Sequence, residues 1–229
     1  MDSMEHKITV VSFDNRLNSR SLSRFRGAIA ALFPDDTIYH NHEGNEVIYR
    51  YPLIQYKFID GKISLVGIDE GADSVEKHFQ YGQILKLTIG NEEKEYKIID
   101  KKTMYYIPES FENKSDYYFL RSWLPLNQDN YARYTEMESI ADKIALLDSI
   151  LSANILSLFS GFNYYSEQKS RANILEIISS YPVKYKNNDM LAFDIRFKCN
   201  AALPELCGLG KGTSRGFGVI YASHPRRKP

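Results

Sequence analysis

Glu46-Val-Ile-Tyr-Arg-Tyr-Pro-Leu-Ile-Gln-Tyr-Lys-Phe58, then Asp60-Gly61, then Lys62-Ile-Ser-Leu-Val-Gly-Ile68, has the pattern of a β-hairpin. Both flanks are rich in β-branched and aromatic residues. Asp-Gly between them is a hairpin signal, because both residues tolerate positive φ. The spacing predicts two antiparallel strands, the first at a sheet edge or bulged, since Pro52 has no N–H for a ladder. Toward the N-terminus, Leu22, Phe25, Ile29 and Leu32 recur at helical spacing. Ser19 or Ser21 offers the N-cap and Pro34 stops the pattern. Before that helix, Lys7-Ile-Thr-Val-Val-Ser-Phe13 reads as a strand. Beyond the hairpin, Asp73 to Phe79 reads as a short helix and Ile84 to Ile89 as the closing strand. The order β-α-β-β-α-β is the ferredoxin-like arrangement.

A linker-like region from about Asp100 to Asp116 divides the chain, giving domains at 1–100 and 101–229. The second part opens on the strand Tyr117 to Leu124. A long helical stretch follows from about Tyr131 to Phe159. Its apolar positions, Met137, Ile140, Ile144, Leu147, Leu151, Ile155 and Leu158, repeat at three and four residues and read as core packing. Strands from Ile174 to Lys186 and Met190 to Lys198 flank a turn at Asn187-Asn188-Asp189, and Phe217 to Tyr221 reads as the last strand. The predicted class is α+β: two tandem ferredoxin-like domains with a C-terminal glycine-rich loop.

Formal net charge is zero over 229 residues, which excludes strong whole-molecule steering of a polyanion. The charge is uneven, however. Arg16, Arg20, Arg24 and Arg26 lie close together, and acidic residues gather between Asp69 and Glu76. Cys199 and Cys207 form no CxxC pair and read as reduced thiols, pointing to a cytoplasmic protein. The polar N-terminus lacks a signal-peptide pattern, and no apolar run reads as a membrane span.

Gly208-Leu-Gly-Lys-Gly-Thr-Ser-Arg-Gly-Phe-Gly218 places five of the chain's thirteen glycines in eleven residues. Such a run marks backbone with positive φ or backbone lying close against a partner. Lys211 and Arg215 inside it suggest an anion, held by successive N–H groups. The run is no Walker A loop, because Lys211 is followed by Gly212, and no dinucleotide register fits. The plainer alternative is a glycine-rich hairpin loop with no ligand. If the backbone approaches phosphate, valine at Gly210 and Gly212 is expected to weaken binding and leave the fold largely intact. His40-Asn-His42 is the best candidate for moving protons near neutral pH. A metal reading of His-x-His lacks a third ligand at supporting spacing, so no metal and no cofactor are expected. The arginines of the first helix, Arg20 and Arg24 among them, have no carboxylate partner along the helix and suit phosphates.

Together these pieces resemble the RAMP superfamily of CRISPR systems. Phe25-Arg-Gly-Ala-Ile-Ala-Ala-Leu-Phe33, His40-Asn-His42 and Tyr49-Arg-Tyr-Pro-Leu-Ile-Gln-Tyr-Lys57 are similar to one branch. That branch comprises the endoribonucleases that process CRISPR precursor RNA, the sixth numbered Cas protein, b subgroup. The resemblance implies a metal-independent cut within repeat RNA, by attack of the ribose 2′-OH, leaving a 2′,3′-cyclic phosphate and a 5′-OH. It implies His40 and His42 as acid and base, with Arg50, Tyr51 or Lys57 supplying charge or a second proton relay. It also implies that Gly208, Gly210, Lys211, Gly212, Ser214, Arg215 and Gly216 grip the RNA backbone, with Arg20, Arg24 and Arg50 as further RNA contacts. The partner would be CRISPR repeat RNA, with other Cas proteins and a homodimer left open and no membrane. The alternative is a RAMP subunit that holds guide RNA without cutting it.

Overall fold

The computed structural model describes residues 4–14, 19–39, 42–43, 46–47, 51–109, 116–166 and 168–223. The chain divides into two compact units. The first is Met1–Ile107 with Thr213–Gly216, the second Pro108–Gly212 with Phe217–Pro229.

In the first unit β1 (His6–Phe13) is followed by α1 (Ser19–Leu32), β2 (His42–Glu43), β3 (Glu46–Val47), β4 (Ile54–Ile59), β5 (Lys62–Ile68), α2 (Glu70–His78), β6 (Ile84–Ile89) and β7 (Glu92–Tyr106). The main sheet has the order β4-β5-β1-β7-β6, and its ladders are antiparallel. The β4–β5 turn is the expected one, with Asp60 at φ 51° and Gly61 at φ 75°. Three readings are corrected. The ferredoxin-like four are β4, β5, β1 and β7, whereas β6 is an added edge strand folded back on β7. Residues 100–106 are strand, not linker. Their signal is masked because β7 carries charge on its exposed positions and buries only Tyr96 and Ile98. The long strand from Glu46 to Phe58 is interrupted: residues 51–53, around the proline, are not strand, and β4 starts at Ile54. Beneath α1 and α2 lies a core in which Phe25 meets Phe13 at 5.1 Å and Tyr96 at 5.3 Å, edge to face. Each such fully buried ring contributes roughly 1.5–3 kcal/mol through lost apolar surface.

The second unit holds β8 (Asp116–Trp123), α3 (Gln128–Glu136), α4 (Ile140–Gly161), β9 (Ala172–Tyr185), β10 (Asn188–Cys199) and β11 (Val219–Ala222). Its sheet order, β11-β8-β10-β9, is again ferredoxin-like. The predicted single helix is two. Met137 is extended, and the Ser139 hydroxyl restarts the helix by accepting from Asp142 N at 3.3 Å. The turn between β9 and β10 is Lys186-Asn187, with Lys186 at φ 55°. Among the described residues no helix joins β10 to β11. The glycine-rich loop takes that place.

With 22 residues and a mean hydropathy of 1.6 over its apolar window, α4 is long and apolar enough to cross a membrane, correcting the sequence reading. In this fold Leu147, Leu151, Ile155 and Leu158 are buried, at the spacing of a helix face laid on a sheet. The helix also guards the sheet edge. Ala172 N donates to Ser152 Oγ and Ile174 N to Asp148 Oδ1, which occupies donors that another strand would need.

Candidate nucleic-acid interface

The glycine-rich loop is built by its two limbs. Leu206 N donates to Ile220 O, Leu209 N to Gly218 O and Ile220 N to Cys207 O, so the loop leaves and rejoins the sheet as a paired ribbon. Gly210, Gly212, Gly216 and Gly218 all have positive φ. A Cβ on Gly210 would stand 2.7 Å from Asn154 Oδ1 and 2.8 Å from Trp123 Nε1. One on Gly212 would stand 2.8 Å from Tyr185 and 2.9 Å from Phe217. The close partner that glycine permits here is therefore protein. The expectation that valine at both positions leaves the fold intact is corrected on this ground. Gly208 is buried and bridges to Val219. Thr213–Gly216 belongs to the first unit, where Arg215 makes a parallel bridge with Tyr56. Lys211 is exposed, and Ser214, Arg215 and Gly216 are half-buried.

Sequence reasoning missed an aromatic platform beside this loop. The Tyr185 ring, at the end of β9, lies under the ammonium groups of Lys211 at 5.5 Å and Lys186 at 6.0 Å. Phe217 meets it edge to face at 5.8 Å. Two cations over one ring place positive charge beside a stacking surface, the combination that single-stranded nucleic acid uses. The only sequence signal was the Lys-Tyr-Lys run at the hairpin end.

The histidine segment starts from an anchored base. Phe33 stacks on Tyr39 at 4.4 Å and 17°. Ser74 Oγ donates to the Tyr39 hydroxyl at 3.0 Å, and Ile38 N donates to Asp36 Oδ1 at 3.0 Å. Burial pushes the Tyr39 hydroxyl up to about 12, so it stays neutral across the working pH range. The chain then enters His40, and His42 pairs in register with Val47 in the β2–β3 hairpin. His40 and Arg50 lie outside the described residues, and only the backbone is described for His42 and Arg20. Arg24 is exposed on α1, and Tyr51 is half-buried ahead of β4. Lys57 does not fit the role given to it. It is fully buried within β4, where it offers a substrate no accessible ammonium. Among the described residues no group of three or more His, Cys, Asp or Glu is placed to hold a metal ion. Cys199 is buried and donates to Ala201 O. Burial pushes its thiol up to about 12, far from a reactive thiolate.

Residues 4–106 match the family described as the Cas6b N-terminal domain, and 109–223 match the Cas6b C-terminal domain. A relative from Methanocaldococcus jannaschii, the uncharacterized protein MJ0978, is 38% identical over 109 residues, which is 48% of this chain and 73% of that protein. A solved structure of Cas6b superposes with a TM-score of 0.82 at 29% identity, over 96% of this chain and 100% of the other. Another, described as the CRISPR RNA processing endoribonuclease Cas6b, gives 0.71 at 27%, again over 96% and 100%. The two family matches leave little of the chain uncovered and, Thr213–Gly216 apart, divide it as its own two units do, so this protein belongs to the Cas6b family.

Proposed function

We propose that the protein processes CRISPR precursor RNA as a metal-independent endoribonuclease acting within the repeat. The observation that carries the reading is the match of both halves to the two Cas6b domains, together with a His-x-His pair in the first half. In the proposed reaction the ribose 2′-oxygen bonds to the adjacent phosphorus and the bond from phosphorus to the 5′-oxygen breaks. One of His40 and His42 takes the 2′-hydroxyl proton and the other delivers a proton to the departing 5′-oxygen. The products are a 2′,3′-cyclic phosphate and a 5′-hydroxyl. Imidazole suits both tasks because its ordinary pKa lies near the working pH. Arg50 and Tyr51 offset charge on the phosphorane. Lys211, Ser214, Arg215 and the Tyr185 platform position the RNA, with Arg20 and Arg24 as further phosphate contacts. The N-terminal domain supplies the histidines and both parts of the chain supply RNA contacts, in the cytoplasm where the transcript is made.

The test is cleavage of cognate repeat RNA in EDTA by the unaltered protein, His40→Ala, His42→Ala and the double variant. Loss of about 10²- to 10⁴-fold per histidine is expected. Full activity in the double variant overturns the catalytic assignment, and a strict magnesium requirement overturns the mechanism. Tight binding with no cleavage by the unaltered protein marks a guide-RNA holder instead.

A further inference from the structure

A cavity of about 510 Å³ opens where α1 ends, beside the anchored segment that leads into His40. Its apolar lining includes Leu32, Pro34 and Ile38, and its polar lining Asp35, Asp36 and His78. Every one of these residues is in the first unit. Asp35 and Asp36 line the space, no lysine or arginine lines it, and α1 has no basic residue in its last turn to offset its carbonyl end, whereas α2 ends there on Lys77 and the lining His78. A phosphate is repelled from such a place. A flat apolar group that carries N–H donors on its edge is attracted.

From this chemistry we infer that the cavity is a base-reading subsite, taking one unpaired base next to the scissile phosphate and preferring a base with an exocyclic amino group over uracil. The inference rests on the endoribonuclease reading. An unpaired base offers an apolar face for Leu32, Pro34 and Ile38, and its edge carries the sequence information. Cytosine presents an amino donor where uracil presents a carbonyl oxygen, and a carboxylate accepts from the first and repels the second. Asp36 is already engaged by Ile38 N and Ser74 Oγ. Asp35 is exposed beside it and is the reader. Tyr39, only 2% exposed and stacked on Phe33, anchors the chain at the end of the lining segment.

The experiment uses repeat RNAs carrying cytosine or uracil at each of the two nucleotides flanking the cut, with single-turnover cleavage as the readout. At one of these positions cytosine is cleaved about tenfold faster than uracil by the unaltered protein, the size of one good edge contact. Asp35→Asn, whose amide donates as well as accepts, brings the cytosine-to-uracil ratio to about one. A cytosine-to-uracil ratio that Asp35→Asn leaves unchanged, or no preference at either position, overturns the subsite and leaves the nuclease reading standing. No cleavage of any repeat RNA by the unaltered protein overturns both.

Discussion

Gly210→Ala is the sharpest test of how the glycine-rich loop is built. Gly210 sits at φ +85°, where an added Cβ costs about 1–2 kcal/mol through its clash with the backbone. That Cβ would also fall between Asn154 Oδ1 and the Trp123 indole nitrogen, which are joined by a 2.9 Å hydrogen bond. Trp123 is fully buried, so parting the pair strands a buried N–H at a cost of about 1–3 kcal/mol. The sum, about 2–5 kcal/mol, is a large share of the stability of a domain, which is about 5–15 kcal/mol. Trp123 is the only tryptophan in the chain, so its emission reports on the site directly. Urea unfolding followed by that emission should show a clearly lower midpoint for Gly210→Ala. Lys211→Ala removes an exposed cation from the Tyr185 ring and should change stability by no more than about 1 kcal/mol. Binding should reverse the order: Lys211→Ala weakens RNA binding and lowers its salt slope by about one. An unchanged midpoint in Gly210→Ala, with the indole emission unaltered, would refute the packing argument.

Further predictions concern the α4 core, the buried lysine and the Glu76–Lys7 ion pair. Leu151→Ala, on the buried face of α4, should cost about 2–5 kcal/mol in urea unfolding, and a loss below 1 kcal/mol would mean that this face is not core. Lys57→Met should lower the melting temperature and leave the cleavage rate per folded molecule unchanged. A lost rate at unchanged stability returns Lys57 to the machinery. Hydrogen bonds from Lys7 and Thr103 hold the Glu76 carboxyl down at about 2, against an ordinary 4.5. A depressed carboxylate stabilises fully above the unfolded value and loses its contribution as pH falls toward 2. The melting-temperature gap between the unaltered protein and Glu76→Gln should therefore be widest at neutral pH and close between pH 4.5 and 2. A gap that does not vary with pH counts against the ion pair with Lys7.

Much of the fold was legible because each element announced itself by a different physical device. Asp60-Gly61 gave its turn through positive φ, α1 through helical spacing ended by a proline, and β9 and β10 through the polar turn between them. What escaped shares one cause, that local pattern does not reveal partners. The strand β7 is mostly charged on its exposed positions and is a strand because β1 and β6 flank it. The break between α3 and α4 depends on a single serine hydroxyl turning back to Asp142 N, inside a run whose apolar spacing continues across it.

The same cause explains the site. Glycine content marked where backbone lies close against something, but not against what. Gly210 and Gly212 are required by Trp123, Asn154, Tyr185 and Phe217. They let the loop pack closely enough to hold Lys211 over Tyr185. This separates two kinds of variant that a sequence reading merges. Changing a loop glycine tests the scaffold, and changing Lys211, Arg215 or Tyr185 tests the grip. A screen that finds both kinds defective in RNA binding, but only the glycine variants defective in folding, is the pattern this architecture requires.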